Sequence, residues 1–224
     1  MDGKMAEHRD YLAKIYNLSE LHADASGYIS TSSLADAMSV TAPAVNRMIT
    51  RLKEMGYLIH EPYQGIKLTE KGQREALIKL RYQRIAATFL HQVMGFGWHE
   101  VDDEASKMSS ALSDTIAQRM LQMAQNPTHD PHGEPIPTPE GDIIEMNDLR
   151  LCDLEPPVTA IITRVKTRDH DRLEYIAALG LTPGQDLELI HKAPFNGPMQ
   201  LRLKNEYRII GHNLAEIIRV RIAE

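Results

Sequence analysis

Ser30 to Thr69 reads STSSLADAMSVTAPAVNRMITRLKEMGYLIHEPYQGIKLT, and this stretch decides the fold. From about Thr31 to Met38 it places Leu34, Ala35 and Met38 on one face of a short helix. Ser39 and Val40 make a tight turn. A second helix starts near Thr41 or Ala42, with Pro43 in its first turn, where the missing N–H breaks no hydrogen bond. Val45, Met48, Ile49, Leu52 and Met55 fall at i, i+3, i+4, i+7 and i+10, one buried face at helical period. Gly56 suits the left-handed residue that closes a helix. Tyr57 to His60 and Ile66 to Thr69 then read as two short strands around a loop containing Gly65. Helix, turn, helix and wing in that order predict a winged helix-turn-helix.

The solvent side of the second helix carries Ala44, Asn46, Arg47, Thr50 and Arg51. Asn pairs bidentately with adenine and Arg with guanine, and small residues near a helix start allow close approach to a groove. The expected DNA-binding residues are Thr41, Pro43, Asn46, Arg47, Thr50 and Arg51, with Lys67 on the wing. The plain alternative is a helical hairpin with a solvated basic face. The wing tips the reading toward double-stranded DNA.

The chain has 224 residues, room for two or three small domains, and its 42% hydrophobic content supports a packed core. Its net charge of −6 is unusual for a nucleic-acid binder. Residues 1–80, however, carry ten Lys or Arg against ten Asp or Glu, so the acidity lies downstream of the reading head. The single cysteine, Cys152, forbids an internal disulfide and a cysteine-based zinc site. With no signal peptide and no apolar run near 18 residues, the expected location is cytoplasmic, with no membrane partner. A Gly-rich phosphate loop, a nucleophile elbow and an HExxH pair are all missing, so no enzyme is expected and no catalytic residue is named.

Taken in order, residues 4–22 form an amphipathic helix and Asp24 to Gly27 a turn. After the wing, a long helix runs from Thr69 to about Met94, broken by Gly95-Phe96-Gly97. Another is expected from about Glu100 to Ala124, with Val101, Ala105, Met108, Leu112, Ile116, Met120 and Met123 at helical spacing. The two apolar stripes exceed what a small winged domain covers, so they predict a homodimer. Residues 126–141, NPTHDPHGEPIPTPEG, read as a linker or ordered loop; His129, Asp130 and His132 are metal-capable in type, but a Pro-broken loop gives no fixed geometry, which favours a plain linker. Downstream, Val158–Val165, Asp186–His191, Met199–Leu203, Tyr207–Ile210 and Ile217–Ile222 are strands, with a helix from Asp171 to Leu179. These predict a small SH3-like barrel. The fold class is mainly α with a C-terminal all-β module. The expected domains are a winged helix-turn-helix at 1–73, a helical dimerisation domain at 74–125, a Pro-rich linker at 126–150 and the barrel at 151–224.

Six stretches carry a family likeness: Tyr11-Leu12-Ala13-Lys14-Ile15-Tyr16, Thr41-Ala42-Pro43-Ala44-Val45, Leu68-Thr69-Glu70-Lys71-Gly72, His132-Gly133-Glu134-Pro135-Ile136-Pro137, Leu179-Gly180-Leu181-Thr182-Pro183-Gly184 and Ala193-Pro194-Phe195-Asn196-Gly197-Pro198. With them the chain resembles the diphtheria-toxin-repressor and manganese-transport-regulator family over nearly its whole length. Its C-terminal part is similar to the barrel shared with a small ferrous-transport accessory protein. The resemblance implies a dimeric, sequence-specific repressor controlled by Fe2+ or Mn2+. A protein-binding adaptor using the barrel is the alternative.

The resemblance also implies a ligand set, and here the chain departs from it. Asp10 fits the ligand of the first helix. The long-helix His and Glu positions hold Gln83 and Ala87. The next helix has Asp102 for His, then Ser106, Ser109 and Ser110 for the remaining ligands; the assisting barrel residues are Asp169 and Arg172. Hydroxyls are poor replacements for imidazole, carboxylate or thiolate at such an ion. The expectation is therefore no metal ligands and no cofactor, with the serines and Gln83 hydrogen-bonding to Asp10. The alternative is Fe2+ or Mn2+ at a relocated site among His99, Glu100, Asp102, Asp103, Glu104 and Asp169.

Overall fold

The computed structural model describes residues 3–21 and 27–223; of the expected Asp24–Gly27 turn, all but Gly27 lies outside them. The elements run α1 (Gly3–Leu21), α2 (Thr31–Met38), α3 (Ala42–Glu54), β1 (Leu58–Glu61), β2 (Gly65–Leu68), α4 (Glu70–Gln92), α5 (Val101–Ser109), α6 (Asp114–Met123), β3 (Leu149–Arg150), β4 (Val158–Val165), α7 (His170–Ala178), β5 (Asp186–Lys192), β6 (Met199–Leu203), β7 (Glu206–Ile210), α8 (His212–Ala215) and β8 (Ile218–Ile222). Two compact units emerge, one of Met1–Gln83 with Met108–Ser113 and Ile136–Ile144, the other of Arg84–Lys107, Asp114–Pro135 and Glu145–Glu224.

In the first unit the helix-turn-helix forms as its periodicity dictates. Ser30 caps α2, its side chain accepting from the Ser33 amide, and Ser39 closes it in the left-handed region. Val45, Met48, Ile49 and Leu52 are buried on α3 and join Leu12, Ile15, Leu34 and Ile66 in one core. The wing is the antiparallel pair β1–β2, with Leu58 opposite Leu68 and Glu61 opposite Gly65. Gly72 shows why the LTEKG stretch keeps its glycine: a Cβ there would stand 1.9 Å from the Tyr57 carbonyl oxygen. The Thr69 hydroxyl sits alongside, donating to the Gly56 carbonyl at 2.7 Å and accepting from the Gly72 amide. The wing is thereby fastened to the start of α4.

The second unit is built on a six-stranded antiparallel sheet in the order β3-β8-β4-β5-β6-β7. Ile162, Leu173, Ile176, Leu189, Leu201 and Ile218 fill its core, and Trp98 is buried in the same cluster. The short β3 and α8 were not expected; two- and four-residue elements carry no readable period.

The helix expected from Glu100 to Ala124 is two helices. α5 ends at Ser109 and α6 begins at Asp114. The interval Ser110-Ala111-Leu112-Ser113 separates two segments that share one apolar period. Ser and Asp side chains compete for backbone hydrogen bonds and favour helix ends, a local signal the long stripe outweighed in the reading.

The plain linker is also corrected. Asp130, His132 and Glu134 are all buried. The Asp130 carboxylate accepts from the His132 and Glu134 amides, each at 2.9 Å. Gly133 is forced: it has φ +85°, and a Cβ would stand 1.9 Å from the Thr163 carbonyl oxygen. The Val165 amide donates to the His132 carbonyl at 2.9 Å, laying the segment along β4.

Candidate nucleic-acid interface and metal positions

One face of α3 is committed to the core, and its polar face is left to solvent. Asn46, Arg47, Thr50 and Arg51 are all exposed on it. The Thr50 hydroxyl donates to the Asn46 carbonyl at 3.0 Å, so the Asn46 side chain is not drawn into that bond. Thr41 is the cap residue but makes no side-chain capping bond, and Pro43 lies in the first turn. The exposed Thr41 hydroxyl, free of a capping bond, is the kind of group that donates to a phosphate oxygen. Lys67 on β2 is half-buried, its ammonium 5.6 Å from the Tyr28 ring centroid. Six of the seven expected residues thus lie on or just before α3, and Lys67 lies on the wing. Tyr63 is fully exposed in the turn between β1 and β2, with φ 65°.

Two of the positions at which a metal was weighed, Asp10 and Asp102, carry ion pairs. Asp10 on α1 meets the Lys79 ammonium of α4 at 2.9 Å, and the same ammonium donates to the Ser110 hydroxyl at 3.1 Å. Asp102 on α5 lies 3.1 Å from His132 Nε2 and 3.3 Å from Arg168 Nε. Among the described residues, no three His, Cys, Asp or Glu side chains are placed to hold one ion. Asp10 and Asp102 are in this structure partnered by cations, and Gln83, Ala87, Ser106, Ser109 and Ser110 bring no imidazole, carboxylate or thiolate beside them. His99, from the alternative cluster, faces His170 edge-on with ring centroids 4.9 Å apart, and its buried Nδ1 has no hydrogen-bond partner.

A second charged cluster was not foreseen. Glu134 is 5% exposed and faces Lys166 at 3.0 Å, Arg164 at 3.3 Å and Arg84 at 3.6 Å. Arg164 also forks onto both Asp148 oxygens, at 2.8 and 2.6 Å. Burial pushes the Glu134 carboxyl up, but Lys166, Arg84, Arg164 and Arg168 together outweigh it and hold it at about 2.

Three family models match the chain. The iron-dependent repressor N-terminal DNA-binding domain matches residues 5–66, the iron-dependent repressor metal-binding and dimerisation domain 69–138, and the FeoA domain 149–222. A helix-turn-helix-type transcriptional regulator of Methanocaldococcus jannaschii is 36% identical over 111 residues, which cover 50% of this chain and 86% of that one. The chain belongs to the iron-dependent repressor family. The iron-dependent repressor IdeR of Mycobacterium tuberculosis is 26% identical to it over 222 residues, 94% of each chain. A solved manganese-dependent transcriptional repressor, in complex with manganese, is 29% identical with a TM-score of 0.88, over 96% of this chain and 100% of that one. As a member of the iron-dependent repressor family the chain is a DNA-binding transcriptional regulator with a dimerisation module. No helix among the described residues is long and apolar enough to cross a membrane.

The expectation of no cofactor is corrected by these findings. The model over residues 69–138 is that of a metal-binding domain, and the manganese-dependent repressor similar to the chain was solved with its metal. Substituted ligand positions argued against an ion there. They did not argue against metal binding by the protein.

Proposed function

We propose that this protein is a cytoplasmic, homodimeric, sequence-specific repressor and not an enzyme. The observation that carries the reading is α3: its apolar face is buried, and Asn46 and Arg47 stand together on the face left open. Asn46 and Arg47 read base edges in the major groove, while Thr41, Pro43, Thr50, Arg51 and Lys67 approach or neutralise the backbone. The labour divides along the chain into a reading head at 1–73, dimer helices at 74–125, a connecting segment at 126–150 and the barrel at 151–224.

Asn46→Ala and Arg47→Ala should each weaken operator binding by roughly 1–3 kcal/mol, the worth of a bidentate base contact. Non-specific binding should change much less for Asn46→Ala. Footprinting of purified protein on its operator tests this. Parent-like protection by both variants would remove the recognition-helix assignment.

The effector is a divalent ion of the Fe2+ or Mn2+ class. A second observation favours His99 as a donor, since its buried Nδ1 lacks a hydrogen-bond partner. Imidazole suits first-row ions, and water would complete the shell. Calorimetric titration of Mn2+ into the parent and His99→Ala tests it; equal affinity for both would exclude His99 as a ligand.

A further inference from the structure

α1 belongs to two packings at once. Tyr11, Leu12 and Ile15 enter the winged core. Ala13 and Tyr16 pack with Leu77 and Leu80 of α4. The attitude of α1 on α4 therefore sets how the reading head is carried.

Two ion pairs of opposite polarity fix that attitude. Arg9 Nε reaches Glu75 Oε2 at 2.7 Å, with side chains 15% and 24% exposed. Asp10 Oδ1 reaches Lys79 Nζ at 2.9 Å, with the Lys79 side chain only 11% exposed. Glu75 and Lys79 are one turn apart on α4, so the pairs define one register. Sliding α1 along α4 by a turn would bring Arg9 against Lys79. The Lys79 ammonium also donates to the Ser110 hydroxyl at 3.1 Å, just beyond the end of α5. One half-buried cation thus joins α1, α4 and the α5–α6 connection at a single point.

We infer that Lys79 is a built-in clasp, a positioning residue whose ammonium fixes α1 on α4 and holds the reading head in its DNA-competent attitude. The inference rests on the DNA-binding reading above. It assigns the α1–α4 joint to the chain's own cation, so an effector ion acts on the protein through other residues. Half of the Asp10 side chain is exposed, so the attraction of the pair alone is screened. The strength of the clasp lies in one ammonium satisfying two acceptors on two elements at once, as ion-pair networks that specify register do.

Hydrogen exchange of the full-length protein in chelator tests the clasp without DNA. Parent α1 should exchange slowly. Lys79→Met and Asp10→Asn should each raise α1 exchange at least tenfold, while β5 and β6 keep parent rates. The double replacement Asp10→Lys with Lys79→Asp should recover most of the protection, which guards against a variant that merely misfolds. Operator affinity should fall tenfold or more in Lys79→Met and return with the swap. Parent-like α1 exchange in both single variants would overturn the clasp, as would a swap no better than either single change. Lost protection with unchanged operator affinity would leave the clasp in place and refute its link to DNA binding. Absence of operator binding by the parent would count against the functional reading alone.

Discussion

Glu134 shows how much a single residue depends on its neighbours. Removing one partner from a buried ion pair leaves a charge uncompensated, so Glu134→Gln should cost on the order of 3–5 kcal/mol, read from urea unfolding at neutral pH. The pH dependence has a definite sign. The folded-state value of about 2 lies below the ordinary carboxylate value, so folding favours the ionised form. That stabilisation is complete above roughly pH 5 and is lost as the pH falls toward 2; it amounts to on the order of 3 kcal/mol. Unfolding midpoints from pH 6 to 2.5 should therefore fall more steeply in the parent than in Glu134→Gln. Equal slopes would mean another group controls the acid transition. The sequence offered Glu134 as part of a Pro-rich, family-like stretch, with nothing to say which charges it would meet. Its partners come from α4, from β4 and from Lys166 just after β4, and nothing local marks which cation will arrive.

At the scale of elements, helical period was the dependable signal and helix ends were the weak one. α2, α3 and α4 follow their apolar spacing within a residue or two, as expected when a buried face sets the helix. The α5–α6 break escaped because the apolar stripe continues across it. The break gives α6 a separate face, on which Ile116 and Met123 are 51% and 54% exposed while Met120 is buried between them. Half-exposed apolar residues at i and i+7 suit a self-complementary contact across a twofold axis. The double change Ile116→Asp with Met123→Asp should convert a dimer to a monomer at tens of micromolar in sedimentation. Neither side chain is core, so the monomer should stay folded by circular dichroism. A dimer that survives the change would move the interface to another face.

For the whole molecule, charge and symmetry set the expected behaviour on DNA. The net charge of −6 cannot supply affinity, so phosphate contact is expected at the reading heads, where the charge is balanced. Arg51→Ala should weaken binding nearly uniformly across sequences and lower the slope of log affinity against log salt by about 1. A twofold dimer should protect two half-sites with centres about 34 Å apart, or a multiple of one helical turn. A single, asymmetric protected site would contradict that arrangement. The amino-acid sequence by itself determined the helix-turn-helix, the wing, the order of modules and the exposed face with Asn46 and Arg47. Each of these is written in a local period, a turn residue or a short motif. Only the tertiary structure decided which charges meet. Lys79 was an ordinary polar position on a long helix until folding brought it to Asp10 and to Ser110, 31 residues away. Arg164 on β4 and Glu134 in the segment between α6 and β3 are 30 residues apart. Periodicity says which face a charged side chain takes; the identity of its partner is fixed only when distant elements pack and their side chains share one place.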